Sequence, residues 1–309
     1  MKQVTTVLAI ALLMASCNQF DKSKSGMPYK ITKGGNSTLL KNGQFVKFNL
    51  EFKLGAKDSI LNSSFGHLPN YMKYDSAQLG KYNFTEVLPK CAVGDKMEFT
   101  LSIDSLKSMG MIPEYNKVFT KGDVIKGKME IISVFSDEKL IEADYKKEVE
   151  QEKQKEIKEL ETYMSSKGIK AQKTPGGAFV EISTPGDMTL KADSGKQATV
   201  LYKGYTTDGK VFDSNMDKPG MPPFNVVVGA KSVIPGWDEG LRFFGKGTKG
   251  RILVPAMLAY GQQGAGAAIK PFTNLVFDVQ VVDVTTPPPP PPAKPNPMEM
   301  PQQAPPAKK

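Results

Sequence analysis

The chain has 309 residues, with 41 Lys and Arg against 32 Asp and Glu, for a formal net charge of +9. At about 150 residues per domain this length allows about two domains, and the apolar and charged fractions are those of an ordinary globular protein. The basic excess is spread along the chain without an Arg/Lys patch interleaved with aromatics, so nucleic acid is not an expected partner.

Residues 1–17 read as a secretion signal: Lys2, an apolar run from Val7 to Ala15, then Ser16 and Cys17. The run is too short to span a bilayer, which takes about 20 residues. Its end resembles a bacterial lipoprotein signal, in which Cys17 becomes the lipidated first residue of a membrane-anchored chain. Met14 stands where leucine is commoner, and an ordinary signal peptide with an incidental cysteine is the alternative. Residues 18–26 then read as a polar tether. The mature chain keeps Cys91 as its other cysteine, so no intramolecular disulfide is expected. Cys91 and the single histidine, His67, cannot build a zinc site or a Cys–His nucleophile pair. No Gly-x-Ser-x-Gly elbow, P-loop or dinucleotide fingerprint occurs, and no cofactor is expected.

Residues 27–135 read as short strands with turn signals. From Ser136 to Lys167 there is no Gly or Pro, and residues 136–168 read as a helical linker of about 45 Å at 1.5 Å rise per residue. Ser136 is the expected cap, followed by Asp137 and Glu138 in the first turn. Gly168 is the expected stop. Ile141, Tyr145 and Val149 make one apolar stripe, and Ile157, Leu160 and Met164 another. The wholly polar stretch 150–156 between them predicts a helix that packs on a domain at each end and stands in solvent in the middle. A coiled coil that makes a homodimer is the alternative, and the gap in the stripe disfavours it.

Residues 169–285 form a second region of short strands. Residues 197–205 alternate around Val200 and Tyr202, Thr207-Asp208-Gly209-Lys210 is a hairpin turn, and a strand restarts at Val211–Ser214. Later strands are expected at 251–254 and 273–283. Between them lies Val233-Ile-Pro-Gly-Trp-Asp-Glu-Gly-Leu241, which holds the only tryptophan, Trp237. Pro235 suits a first helical residue, and Asp238 and Glu239 suit a first turn, so a short helix is expected there. Trp237 alone reads equally as a core residue or as part of a site. The expected fold class is α+β, an antiparallel curved sheet wrapped over a short helix. Residues 286–309, with the run Pro287–Pro292, read as a proline-rich tail without a core, a spacer or a ligand for a groove.

Five segments, in order, carry a resemblance: Val200-Leu-Tyr-Lys-Gly204, Asp208-Gly-Lys-Val-Phe-Asp-Ser214, Val233-Ile-Pro-Gly-Trp237, Leu258-Ala-Tyr-Gly261 and Leu275-Val-Phe-Asp-Val279. Residues 197–284 closely resemble FKBP-type peptidyl-prolyl cis-trans isomerases. The resemblance implies isomerisation of X–Pro bonds in proline-containing polypeptide clients, and binding of the family's macrolide inhibitors. It implies that a prolyl ring lies on Trp237, walled by Tyr202, Phe212, Phe224, Val233, Ile234, Ile269 and Phe277. The Tyr260 hydroxyl and the Ile234 N–H would hydrogen-bond substrate carbonyls, and Asp213 would sit beside the twisting imide. Lys270 departs from a common Pro-Pro pair, the 265–268 flap is small and glycine-rich, and residues 216–222 also differ, so substrate preference stays open. With the signal segment, the reading is a lipid-anchored, extracytoplasmic folding isomerase of a bacterial cell envelope. A non-catalytic chaperone or client-binding module is the alternative.

Comparing the halves exposes a collinear repeat. Phe84–Leu88 aligns with Trp237–Leu241, Gly94 with Gly247, Met97–Leu101 with Gly250–Val254, Ser59–Ser63 with Lys210–Ser214, and Met129–Val134 with Phe277–Val282. Residues 27–135 therefore read as a degenerate FKBP-like domain, an unrelated α+β domain with accidental similarity being the alternative. Phe84 replaces the tryptophan, Leu61-Asn62 replace the Phe-Asp pair, and 105–115 is a different loop.

Overall fold

The computed structural model describes residues 20–55, 58–217 and 220–287. Cys17 and almost all of the proline-rich tail lie outside these residues. The chain divides into two compact units, one ending at Lys155 and the other beginning at Glu156. Each is built on an antiparallel sheet, as expected of an α+β fold.

In the first unit the strands are β1 (Asp21–Lys22), β2 (Pro28–Thr32), β3 (Phe45–Leu54), β4 (Ser59–Ser63), β5 (Asn70–Lys73), β6 (Lys96–Ser102) and β7 (Val124–Phe135). They form a seven-stranded sheet in the order β1-β2-β6-β7-β3-β4, with β5 also on β3. Period-2 burial along β6, where Met97, Phe99 and Leu101 face inward, gives the core its layer. A 3-10 helix, Phe84–Lys90, lies in the chain between β5 and β6. Asn83 caps it, its side chain accepting from the Thr85 N–H at 2.7 Å. Val87 and Leu88 are buried there, and Pro89 lies inside it. A short helix, α1 (Ile103–Ser108), follows β6. The expected tether is shorter than 18–26: Asp21 and Lys22 pair with Tyr29 and Pro28. The Ser23 and Ser25 hydroxyls both donate to Glu86.

The second unit holds β8 (Gln172–Lys173), β9 (Phe179–Thr184), β10 (Asp187–Lys191), β11 (Gln197–Thr206), β12 (Val211–Ser214), β13 (Phe224–Val227), β14 (Gly245–Lys246), β15 (Lys249–Val254) and β16 (Leu275–Thr285). Its main sheet runs β12-β11-β16-β15-β9-β8 with β13 also on β11, and β10 pairs separately with β14. Read from the opposite edge, this is the strand order of the first unit. The irregularities recur too. The β3–β7 register shifts between Lys47 and Phe48, and β11–β16 between Thr199 and Val200. The β3–β4 register shifts between Phe52 and Lys53, and β11–β12 between Gly204 and Tyr205. One expected alignment moves by two residues. Phe52 pairs with Gly127, and Gly204 with Phe277, so Gly127 and not Met129 occupies the place of Phe277.

The helix α2 (Glu138–Lys167) supplies residues to both units. Asp137, not Ser136, caps it, accepting from the N–H groups of Lys139 and Leu140 at 3.0 and 3.1 Å. At its other end Gly168 adopts φ +67 and Ile169 N–H donates to Met164 O at 2.9 Å, the left-handed stop expected of glycine. Within the first unit, Tyr71 and Lys47 reach Asp144, Lys47 also reaches Glu148, and His67 Nδ1 lies 2.7 Å from Glu152. Within the second, Ile157, Leu160 and Met164 pack on Phe179, Leu253 and Val276. The polar stretch is solvated only in part: Glu150, Gln151, Gln154 and Lys155 are exposed, but Glu152 is 5% exposed and Glu156 1%. The second unit therefore starts at 156 rather than 169, because the last helical turns complete its core.

Candidate active site

The helix α3 (Pro235–Gly240) follows the expected plan, with Pro at its first turn and Trp237 inside it. Two glycines press it against the sheet. A Cβ on Gly236 would lie 2.3 Å from Val254 Cγ1, and one on Gly240 2.7 Å from Ile252 Cγ2. The loop before it is tied down by buried Asp238, whose carboxylate accepts from Gly229 N–H at 3.1 Å and Lys231 N–H at 3.0 Å. Lys231 is held at φ +56, a region few non-glycine residues adopt. Ile234 precedes the helix, so its N–H is not taken up by the helical ladder.

Trp237 is 4% exposed. Its ring meets Tyr202 at 5.2 Å and 90°, Phe277 at 5.2 Å and 78°, and Phe224 at 6.3 Å and 64° between centroids and planes. Phe277 in turn meets Phe212 at 5.6 Å and 84°. These edge-to-face contacts suit the ring quadrupoles. They enclose a cavity of about 480 Å³. Of the residues expected at the site, Tyr202, Phe212, Asp213, Phe224, Val233, Ile234, Trp237, Tyr260 and Phe277 line it together. Ile269 does not. It is 4% exposed in the core, and its backbone bridges to Ala265, stapling the 261–272 loop. Lys231, Ser232, Pro235 and Ala259 line the cavity without having been expected to. Pro235 and Ala259 stand inside the motif segments and Lys231 and Ser232 just before one, which is the signal that could have found them.

The Tyr202 hydroxyl donates to Asp213, fixing that carboxylate at the rim. Burial, and then the Asp213 hydrogen bond, push the phenol well above its ordinary range, so Tyr202 stays a donor. Tyr260, 40% exposed, stands on the segment between the 3-10 turns Ala256–Leu258 and Gly261–Gln263. A larger groove of about 700 Å³, with Ile182, Met188, Arg242 and Phe243 in its walls, also belongs to this unit. It includes none of the expected site residues, and the ring-lined cavity is the better candidate despite its smaller size.

Gly204 makes the ring pair possible, since a Cβ there would come within 2.6 Å of Phe212 Cζ and 2.9 Å of Phe277 Cε1. Gly204→Ala should lower kcat/KM on a proline peptide by about tenfold, equivalent to about 1.4 kcal/mol of transition-state binding, while the circular dichroism spectrum stays unchanged. Unaltered kinetics would show that the two rings need not keep this spacing.

An antiparallel sheet wrapped over one short helix, with aromatic rings enclosing a cavity between them, is the arrangement of a prolyl isomerase. The model of the family described as FKBP-type peptidyl-prolyl cis-trans isomerase matches residues 189–282. An FK506-binding protein of Neisseria meningitidis serogroup B is 36% identical over 109 residues, 35% of this chain and 97% of that one. FK506-binding protein 2 of Yarrowia lipolytica is 39% identical over 108 residues, 35% of this chain and 73% of that one. Peptidyl-prolyl cis-trans isomerase FKBP53 of Arabidopsis thaliana is 38% identical over 128 residues, 41% of this chain but only 26% of its own length. The chain belongs to the FKBP-type peptidyl-prolyl cis-trans isomerase family.

Proposed function

We propose that this protein accelerates X–Pro isomerisation in extracytoplasmic polypeptides as they fold, from a lipid anchor at Cys17 on a bacterial cell envelope. The observation that carries the catalytic reading is the convergence of Trp237, Tyr202, Phe212, Phe224 and Phe277 on one cavity. Amide resonance sets a barrier of about 18–20 kcal/mol against rotation. Resonance separates charge, so an imide moved from water into a ring-lined pocket loses part of what holds it planar. The prolyl ring rests on the Trp237 indole. Ile234 N–H and the Tyr260 hydroxyl donate to the carbonyls on either side, and Asp213, held by Tyr202, faces the turning imide. Shape that fits the twisted ring better than the planar one supplies the remaining stabilisation. The same cavity would accept the family's macrolides. A protease-coupled proline-peptide assay on the full chain tests this reading. No acceleration by the wild type, or an unchanged rate in Asp213→Ala, would leave the binding-module alternative in its place.

The first unit serves as a non-catalytic module that holds a client or a partner. Three features support this: Phe84 at the tryptophan position, Asn62 at the place of Asp213, and two rings in the space of the pocket. Phe99 meets Phe84 at 5.9 Å and Phe52 at 5.8 Å, over Gly127, where a Cβ would lie 2.0 Å from the Phe99 ring. The anchor is tested separately. Labelled palmitate should enter the full chain expressed in a bacterium, globomycin should block its processing, and Cys17→Ser should take up no label. Label retained by Cys17→Ser would refute the anchor.

A further inference from the structure

The turn that carries Tyr260 into the cavity is short of internal support. It follows β15 through Pro255 and consists of the single 3-10 turn Ala256–Leu258. The N–H groups of Leu258 and Ala259 close back on Pro255 and Ala256. The N–H groups of Ala256 and Met257 belong to the first turn, where no carbonyl of the turn itself can accept from them. Both are taken by acceptors that lead to α2. Met257 N–H donates to Glu156 Oε2 at 2.8 Å. Ala256 N–H donates to Asn274 Oδ1 at 2.9 Å, and Asn274 Nδ2 donates to Glu159 Oε2 at 3.0 Å. Glu156 and Asn274 are both buried. A carboxylate this deep is costly unless hydrogen-bonded, and an apolar side chain there would bury the helix equally well without meeting the turn. Two carboxylates one helical turn apart thus support the two N–H groups at the head of the turn, Glu156 directly and Glu159 only through Asn274, and Ala259 and Tyr260, which follow that turn, both line the cavity.

We infer that Glu156, with Glu159 acting through Asn274, is a positioning residue for Tyr260, so that the end of α2 sets the geometry of the substrate-binding hydroxyl. The inference rests on the isomerase reading of the cavity. Neither carboxylate touches substrate. Their effect runs through the backbone of 256–259.

The test uses the full chain and a proline peptide, with kcat and KM measured separately for E156A, E156Q and E159A, each alone and combined with Tyr260→Phe. E156A should lower kcat/KM by about tenfold, and E159A by about threefold. E156Q keeps an acceptor oxygen and should stay within about twofold of the wild type. In the Tyr260→Phe background the same changes should cost less than about twofold, because the hydroxyl they place is gone. If E156A does not fold, E159A with and without Tyr260→Phe decides the matter. Wild-type kinetics in E156A, or an equal loss in the Tyr260→Phe background, overturns the inference in favour of a purely structural carboxylate. An inactive wild type overturns the isomerase reading and this inference together, whereas an active wild type indifferent to both alanine variants overturns only this one.

Discussion

Trp237→Ala should reduce kcat/KM on a proline peptide by about 100-fold, the equivalent of about 2.7 kcal/mol at 1.36 kcal/mol per factor of ten. Among the described residues, the indole is the one ring paired with Tyr202, Phe224 and Phe277 at once. Its loss removes the surface the prolyl ring would lie on and lets the other rings relax into the gap. Truncating a buried aromatic also costs about 3–5 kcal/mol of stability, a large part of the ordinary 5–15 or so. The variant must therefore be assayed below its own melting midpoint. Trp237→Phe separates the two effects, because the first unit folds around a phenylalanine, Phe84, at the corresponding helix position. That variant should remain folded and lose activity by a smaller factor. An alanine variant that is folded and within threefold of the wild type would remove Trp237 from the site.

A fragment of residues 169–285 should be close to unfolded at room temperature, whereas 156–285 should fold. The shorter piece lacks Ile157, Leu160 and Met164, which are buried against Phe179, Leu253 and Val276. At about 1.5–3 kcal/mol per buried apolar side chain, the missing turns account for about 5–9 kcal/mol, an upper figure that still matches the whole stability of many domains. Urea titrations of the two fragments followed by Trp237 fluorescence would measure the difference. Equal midpoints would show that the helix end is a passenger. An assay on the shorter fragment alone would confuse an unfolded site with an inactive one.

That boundary shows what the sequence does and does not disclose. The hairpin at Thr207–Lys210, the start of α3 at Pro235 and the inward alternation of β11 depend on residues within a few positions of one another, and they read directly. Gly209 adopts φ +89 in that turn, as its place demands. The burial of Glu152 and Glu156 depends on His67 and Met257, 85 and 101 residues away, so the stretch between the apolar stripes reads as wholly solvated when two of its carboxylates are buried. The two-residue error in aligning β7 with β16 has another origin. The register shifts against β3 and β11 fall at matching places and cancel, but the chain from Phe99 to Gly127 is longer than that from Ile252 to Phe277, and the length of that connection leaves no mark in the pattern of apolar residues. The resemblance implies Ile269 at the cavity wall, whereas here it is 4% exposed in the core beside its β-bridge to Ala265. Nine of the ten expected pocket residues do meet, because they occupy short segments whose spacing is set by strands and turns of ordinary length.

The rings of the first unit bear on what it would take to build a ring-lined cavity there. In that unit the ring opposite Gly127 stands on β6, as Phe99, while in the second unit the ring stands on the next strand, as Phe277, opposite Ile252. Restoring a ring at Gly127 first is blocked, because even a Cβ would collide with Phe99. Shrinking Phe99 first opens a hole in the core at about 3–5 kcal/mol. Either order passes through a destabilised intermediate, so giving the first unit the ring arrangement of the second takes coupled changes at Gly127 and Phe99 rather than one substitution at a time.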